Sequence, residues 1–308
     1  MKKNLILLAF AAAVAAVAVS CSAPLPAGAL SGEFSVASGR TVHFSQGNLQ
    51  YQASTGTWRF ATNQWDVVSS QSAQYSDQYG NVTGSDNANI SSSYSGWIDL
   101  FGWGTSGWNS GNVYYQPYSS ADYDASNHGA QYGPVGSYGI TEEDGYANAD
   151  WGVYNAISNG GNAAGLWRTL TIDEWYYLIN TRANASSKWG SARVAGVSGV
   201  ILLPDSFTDP MKNNGSGAFS SSHSIWSDNV YSADDWTTAM QSAGAVFLPA
   251  AGERYGTTVD NVGSDGDYWS STYYNEYDAC SVFFYSGILA AYHAGGRSCG
   301  ISVRLVRG

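Results

Sequence analysis

Apolar residues alternate with polar ones along residues 33–68, and this period of two is typical of half-buried strands. The alternation is carried by residues 42–44, 49–51 and 58–60, and short turns containing Gly separate these runs. The pattern therefore predicts a β-rich beginning in which consecutive strands are joined as hairpins.

A helical period begins after Thr171. Thr171 and Glu174 have the spacing of a capping box, in which each side chain bonds the backbone N–H of the other residue. Ile172, Trp175 and Ile179 then recur on one helical face. The segment predicts a helix whose apolar side is buried.

A second helix is predicted after Ser232, which has the residue type and position of an N-cap. Trp236 and Met240 supply its apolar face, and Gly244 ends it. An apolar run at residues 245–249 predicts a strand that follows at once.

The other segments are distinguished by composition. Residues 69–94 are rich in Ser, Asn and Gly and predict a long surface loop, whereas residues 97–108 hold three Trp and predict an aromatic core segment. The last forty residues predict hairpins that end in a strand at 301–306. No linker divides the chain after residue 33, so we expect one α+β domain with few helices, many short strands and long loops.

Composition narrows the class of function. The 308 residues are 14% aromatic and only 12% charged, with 22 Tyr and 36 Gly. Tyr, Gly, Ser and Asn dominate antibody-like binding surfaces, although a β-rich domain with many turns has the same bias. The formal net charge is −11 and the sequence has no basic stripe. Nucleic acid is therefore excluded as a partner, since phosphate backbones bind clustered Lys and Arg.

The N-terminus has the organisation of an export signal. Lys2 and Lys3 precede an apolar stretch at residues 5–19, which is too short to span a bilayer as a stable helix. The small residues before Cys21 resemble a bacterial lipobox, although Ala18 stands where Leu is more usual.

This resemblance implies a signal peptide at residues 1–20, acylation of Cys21 and a flexible tether at residues 21–32. It also implies a place in the bacterial cell envelope, at the outer membrane or cell surface, with membrane contact through the lipid anchor only. The alternative is an ordinary secretory signal followed by a chance Cys.

Three segments near the C-terminus resemble one protein family. Residues 166–175 (LWRTLTIDEW), 268–272 (YWSST) and 300–306 (GISVRLV) are similar to segments of the formylglycine-generating-enzyme-like branch of the C-type lectin fold. They occur in family order between about residue 150 and the end of the chain. The resemblance implies a C-type lectin-like domain at residues 33–308, with a β-rich extension at its N-terminal side.

The last segment also resembles the variable region of a diversity-generating retroelement target protein, here at about residues 268–308. In that family, error-prone reverse transcription changes the adenines of Asn codons, and a fixed lectin fold then presents a varied ligand-binding surface. An Asn codon changed at both adenines cannot give Lys, Gln, Glu, Met or Trp. Residues 277–308 contain none of these five types, whereas the preceding residues contain 35, a rate that predicts about four.

The resemblance assigns two kinds of position within this region. Fixed scaffold positions would be Trp269, Ser270, Phe284, Gly287, Arg297, Gly300 and Val303. Variable, ligand-binding positions would be Asn275, Asp278, Cys280, Ser281, Phe283, Tyr285, Ile288, Ala290, Tyr292, His293, Ala294, Gly295, Ser298 and Cys299. The period of two predicts that Phe283 and Tyr285 share one face of a strand while Phe284 points to the core.

Catalytic chemistry finds little support in the sequence. A formylglycine-type oxidase uses a Cys pair, and Cys280 with Cys299 is a pair that could also form a disulfide, but no matching motif surrounds them. The acidic residues 263–267 suit a tight turn better than a calcium loop. The four His residues lack the spacing of metal ligands: His43, His128, His223 and His293.

We therefore expect a binding protein rather than an enzyme, with no cofactor and no metal site. Its partner would be a protein or glycan ligand on another cell, a phage or a host surface. The second hypothesis is an undiversified structural or adhesive surface lipoprotein, and a formylglycine-generating-type oxidase is the third.

Overall fold

A computed structural model describes most of the chain after the N-terminal segment. The described residues are 24–68, 75–76, 82–83, 86–89, 91–119, 129–134, 136–212 and 217–308. The expected signal peptide, Cys21, His128 and much of the expected loop at 69–94 lie outside them. No helix in these ranges is long and apolar enough to cross a membrane.

The described elements are mostly short strands, which confirms the α+β class. The strands are β1 Phe34–Ala37, β2 Arg40–Phe44, β3 Leu49–Gln52, β4 Thr57–Phe60, β5 Tyr75–Ser76, β6 Val82–Thr83, β7 Trp189–Val194, β8 Val197–Leu202, β9 Val230–Tyr231, β10 Val246–Pro249, β11 Glu253–Tyr255, β12 Thr258–Asp260, β13 Asp265–Tyr273, β14 Asp278–Tyr285, β15 Ile288–Gly296 and β16 Val306–Arg307. The α-helices are α1 Trp151–Tyr154, α2 Ile172–Tyr176 and α3 Ala233–Asp235. Short 3-10 turns occur at Asp86–Ala88, Val113–Tyr115, Gly129–Gln131, Ala147–Ala149, Ala185–Ser187 and Trp226–Asp228.

The strands form five small sheets. Their orders are β1-β2-β16, β3-β4, β10-β8-β7-β9, β11-β12-β6-β5 and β13-β14-β15. The predicted hairpin between β2 and β3 is wrong, because β16 occupies the second edge of β2 and places Val306 opposite Phe44. The chain after β2 then follows the C-terminal segment instead, since Ser45 N donates to Leu305 O and Leu49 N to Val303 O. The hairpin of β3 and β4 is confirmed.

Both predicted helix starts are confirmed. Thr171 Oγ1 accepts from Glu174 N at 3.2 Å, and Glu174 Oε2 accepts from Thr171 N at 3.0 Å. Ser232 Oγ accepts from Asp235 N at 3.1 Å. Both of these α-helices are only about a turn long and continue as a π-helical turn, at Tyr177–Thr181 after α2 and at Trp236–Met240 after α3.

The described residues form four buried apolar clusters, and the two largest hold the β13–β15 sheet. The first packs α2 and its fully buried Trp175 against β1, β2, β8, β10, β13 and β14. The second is aromatic and includes Phe101 and Trp103, which confirms a core role for the segment at 97–108. Trp269 of β13 belongs to this second cluster, so the β13–β15 sheet is held by both.

The segment expected as a tether is partly built into the domain. Leu30 is buried and its N–H donates to Phe44 O at 2.9 Å, while Gln46 N donates to Gly28 O at 2.8 Å. Gly32 packs so closely on Gly244 that an added Cβ would lie 2.2 Å from its carbonyl oxygen. The packed chain thus begins at Gly28 rather than at residue 33, because a buried Leu needs this backbone anchored beside β2.

Candidate functional site

The candidate site is the antiparallel sheet β13–β15, where the variable positions were expected. Its register places Asp267 opposite Phe283 and Trp269 opposite Ser281. On the next strand, Phe283 faces Ala290 and Ser281 faces His293. Directly paired residues point to the same side of a sheet, and we call this side the outer face. Its end at Trp269 and Ser281 is buried, whereas its end at Phe283, Tyr285 and Ile288 is partly or well exposed.

The opposite, inner face belongs to the core. Tyr268, Val282 and Phe284 are fully buried, and the rings of Tyr268 and Phe284 stack with centroids 6.0 Å apart. Gly266 lies beneath Phe284, where an added Cβ would come within 2.1 Å of the ring. The fit of Phe284 therefore requires both a ring at 284 and Gly at 266.

The outer face exposes apolar and aromatic side chains. Tyr285 is 39% exposed and Ile288 40% exposed. Phe283 is partly buried, with its ring 5.7 Å from that of Tyr285 and stacked at 4.7 Å on that of His293. The predicted alternation of Phe283 and Tyr285 with Phe284 is thus confirmed.

A β-bulge changes the direction of Tyr292. The pairing of β14 and β15 shifts between Ser281 and Phe283, so two residues of β15 lie opposite Val282. Tyr292 has a φ of 62°, an uncommon value for a residue other than Gly or Asn. Its ring packs 5.3 Å from that of Tyr176 and its hydroxyl donates to Asp173 Oδ1. Tyr292 is exposed, but it lies against α2 and not within the outer face.

Four of the expected variable residues are buried: Cys280, Ser281, Ser298 and Cys299. Ser281 shows why such a position can be buried. Its register places it on the outer face, but it lies beside the buried Trp269, and its Oγ is 3.4 Å from His293 Nδ1. Gly295 is restricted too, since an added Cβ would meet the Trp269 ring at 3.2 Å. Ala290 and Ala294 are partly buried.

The turn between β13 and β14 holds two further expected positions. Asn275 Oδ1 accepts from Tyr277 N at 2.7 Å and from Asp278 N at 2.8 Å, and its Nδ2 donates to Asp278 Oδ2. These two polar residues therefore shape the turn. Tyr274 and Tyr277 beside them are 57% and 41% exposed and were not among the expected binding residues.

The expected scaffold residue Arg297 fixes the base of this turn. Its guanidinium lies over the Trp103 ring at 4.8 Å, donates to Glu276 O at 3.1 Å and also donates to Pro134 O. Burial lowers the pKa of Arg297 to about 10, which leaves it charged at neutral pH. Of the other expected scaffold residues, Trp269, Ser270, Phe284 and Val303 are fully buried.

Acidic residues that were not predicted as part of the site lie beside the outer face. Burial raises the pKa of Asp267 to about 8; Glu253 adds to the rise and the nearby Ser281 hydroxyl opposes it. Burial and Glu253 also raise the pKa of Asp265. Burial lowers the pKa of His293, whose Nδ1 lies 3.6 Å from Asp267 Oδ2. Asp267 and Asp265 lie two and four residues before Trp269, so the period of two of a strand could have placed them on the same face as Trp269.

The two described cysteines are free thiols in different surroundings. Cys280 lies in the first core cluster with its Sγ 3.7 Å from Tyr273 O, and burial raises its pKa to about 11. Burial, then Glu253, raises the pKa of Cys299 to about 12. No group of three or more His, Cys, Asp or Glu residues within the described ranges could hold a metal ion.

Comparison with known proteins gives one match. Residues 218–306 are similar to the family described as a domain of unknown function, DUF8237. This match takes in the whole β13–β15 sheet. No curated protein matches the chain, and no solved structure does.

Proposed function

We propose that the protein is a surface-displayed ligand-binding lipoprotein whose binding surface is the outer face of β13–β15. The observation that carries this proposal is the contrast within one sheet. Phe283, Tyr285, Ile288 and His293 present apolar and aromatic area to solvent, while the other side of the same strands is locked in the core. Exposed aromatic side chains on a rigid support are typical of binding surfaces.

A C-type lectin-like fold is part of the proposal. It is supported by direct contact between the three segments that carry the resemblance. Ser271 N donates to Leu170 O at 2.9 Å, Trp269 N to Ser302 O at 3.0 Å, and Arg168 N to Val306 O at 2.9 Å. Segments that meet in this way are expected to act as one structural unit.

Binding can be tested with paired substitutions of exposed residues. The protein would be screened on a glycan array and against displayed bacterial, phage and host surface proteins. Tyr285→Ser combined with Ile288→Ser should lose the ligand that is captured, since exposed aromatic anchors carry most of the energy of an interface. Tyr154→Ser is the matched control, because Tyr154 is 41% exposed but lies on α1. Equal loss in both variants would contradict the proposal.

We also propose that a retroelement diversifies this face. Tyr285, Ile288 and His293 are all residue types that a changed Asn codon can give, and they are exposed within residues 277–308, which lack the five forbidden types. The gene would be sequenced from many cells of one population. Substitutions should concentrate at template adenines of the codons for exposed residues, with a reverse-transcriptase gene nearby.

The second candidate is an undiversified structural or adhesive lipoprotein. It is favoured by the burial of Cys280, Ser281, Ser298 and Cys299, because randomising buried positions would unfold many variants. A population with one invariant sequence and no repeat of this segment nearby would support it. An oxidase is the weakest candidate, since Cys280 and Cys299 are buried free thiols and burial raises the pKa of each, which makes a thiol a poor nucleophile and metal ligand.

The anchor is tested separately. A clickable fatty-acid analogue fed to cells should label the wild-type protein and not the Cys21→Ala variant. A Cys280→Ala variant should keep the label, which controls for acylation of other thiols. Equal labelling of the Cys21→Ala variant would refute the lipoprotein proposal.

A further inference from the structure

We infer that the outer face captures a protein ligand through a cationic side chain, a Lys or Arg, which binds at the carboxylates of Asp265, Asp267 and Glu253 beside the rings of Phe283 and Tyr285. This inference rests on the proposed function and adds the chemical class of the ligand. It also decides between the protein and glycan partners that the sequence leaves open.

The register brings the carboxylates and the rings together. Asp265 lies opposite Tyr285, and Asp267 lies opposite Phe283. Side chains paired directly across two strands have Cβ atoms about 4.5–5.5 Å apart, so each carboxylate lies beside a ring. A cation at this position meets a negative charge and a π-face at the same time, which is the chemistry that binds ammonium and guanidinium groups.

The carboxylate of Asp267 lacks a compensating charge. Its side chain is only 9% exposed, its Oδ1 makes no hydrogen bond, and its Oδ2 has only His293 Nδ1, at 3.6 Å, as a nearby basic group. Glu253 accepts from the Tyr255 hydroxyl at 2.6 Å and from Asn261 Nδ2 at 3.2 Å. Neither donor is a cation, so neither neutralises the charge of Glu253.

No Lys or Arg of the described chain forms an ion pair with these three acidic residues. Arg254 is the nearest in sequence, but it points away from them. Its guanidinium is buried and donates to Asn87 O at 3.1 Å and to Ser119 O at 3.4 Å. A buried carboxylate without a cation nearby is costly, and for this reason the pKa of Asp267 is raised. A ligand that brings a positive charge would stabilise the ionised form of Asp267 and would also be attracted by Asp265 and Glu253.

The geometry favours Lys or Arg over a neutral sugar. Both side chains have an apolar stem that can lie along Phe283 and Tyr285 while the charged end reaches the carboxylates. A neutral glycan brings no positive charge to pair with the carboxylates. The chain's net charge of −11 also attracts basic partners from a distance.

The test uses the full chain in dodecyl maltoside with 13C-labelled Ile and Ala methyl groups. The probe is the tripeptide acetyl-Gly-Lys-Gly-amide, and acetyl-Gly-norleucine-Gly-amide is the uncharged control of equal stem length. The Lys peptide should shift the methyl signals of Ile288 and Ala290, and the norleucine peptide should not. Asp267→Asn should raise the Kd about tenfold, the usual effect of losing one favourable charge contact.

Two further variants separate charge from folding. Asp265→Asn should weaken binding in the same direction, and its side chain is less buried than that of Asp267. Glu142→Gln removes an exposed acidic residue outside the sheet and should leave the Kd unchanged. Unchanged methyl spectra of the core residues Ile172 and Ile301 in each variant will show that the fold is kept.

The pH dependence of binding of the Lys peptide gives an independent test. The groups that face Asp267 are Glu253 and Tyr255 of β11, Asp265 of its own strand, His293 of β15 and Cys299. A bound cation favours the ionised carboxylate, so the affinity for the Lys peptide should rise as the pH increases from 6 to 9, through the pKa of Asp267 near 8. The Asp267→Asn variant should lack this rise.

Equal shifts from both peptides, or an unchanged Kd in Asp267→Asn, would overturn the inference. If the Tyr285 and Ile288 variants lose ligand capture while the Lys peptide fails to bind, the face binds ligands but not through a cation. That result would overturn the inference and leave the proposed function standing.

Discussion

The two faces of the β13–β15 sheet are built from the same three strands and obey opposite constraints. On the inner face, Phe284 has a ring on one side and a glycine beneath it, so its volume and shape are fixed. On the outer face, the neighbouring Phe283 is only partly buried, and Tyr285 ends in solvent. Adjacent residues of one strand are thus constrained differently: core packing fixes the residue type at position 284 and does not fix it at position 283. A binding surface that must change without unfolding needs this separation.

The largest expected difference between the two faces is seen when the adjacent rings of Phe283 and Phe284 are truncated one at a time. Phe284→Ala should lower the free energy of unfolding by about 3–5 kcal/mol, because it leaves a cavity between Tyr268 and Trp226. Phe283→Ala should lower it by only about 1 kcal/mol, since that ring is already partly in water. Urea unfolding followed by circular dichroism measures both. Equal losses would show that the two faces are not different.

The buried Asp267 beside the outer face should make the stability of the protein depend on pH. A carboxyl whose pKa is raised by folding holds its proton more tightly in the folded state, so it costs stability as the pH rises from about 4 towards 8. Asp267→Asn should therefore be more stable than the wild type at pH 6, by on the order of 3 kcal/mol, and nearly equal at pH 4. Urea titrations at both values measure the difference. A difference that does not depend on pH would contradict the assigned pKa.

The N-cap of α2, the helix that packs against the inner face, makes a smaller contribution to stability. Thr171→Ala removes the acceptor for Glu174 N and should cost about 1 kcal/mol. Thr171→Ser keeps the hydroxyl and is the matched control, with a loss well below that of Ala. Thermal melts compare the three proteins. If Ala and Ser melt alike, the capping box does not stabilise α2.

The smallest effect is expected at the exposed end of the outer face. Tyr285→Ser with Ile288→Ser should change the free energy of unfolding by no more than about 0.5 kcal/mol per site, because both residues lie on the surface and outside the core clusters. The same urea experiment applies. A loss comparable to that of Phe284→Ala would mean that these residues are part of the core, and the binding-face proposal would fail.

Local signals in the sequence were sufficient for the local structure. The capping box of Thr171 and Glu174 predicted where α2 begins, and the period of two predicted the opposite directions of Phe283 and Phe284. Both depend on residues a few positions apart. The pairing of β2 with β16 depends on residues about 260 positions apart, and no local pattern encodes it.

The candidate site was predicted in part for the same reason. Ser281 has the same parity as Phe283, yet it is buried by Trp269 and His293 on the neighbouring strands. Tyr292 leaves the face because of a bulge that the sequence does not announce. Asp267 was interpreted as part of an acidic turn, because its burial depends on how three strands pack together.

The pairing of β2 with β16 has a consequence for the order of folding. The strand that completes the first sheet is made of residues 306 and 307, so this sheet cannot close until the chain has been made about 260 residues beyond β2. Until residues 306 and 307 pair with it, β2 keeps one edge whose backbone N–H and C=O groups have no strand partner, and such an edge can pair with another chain.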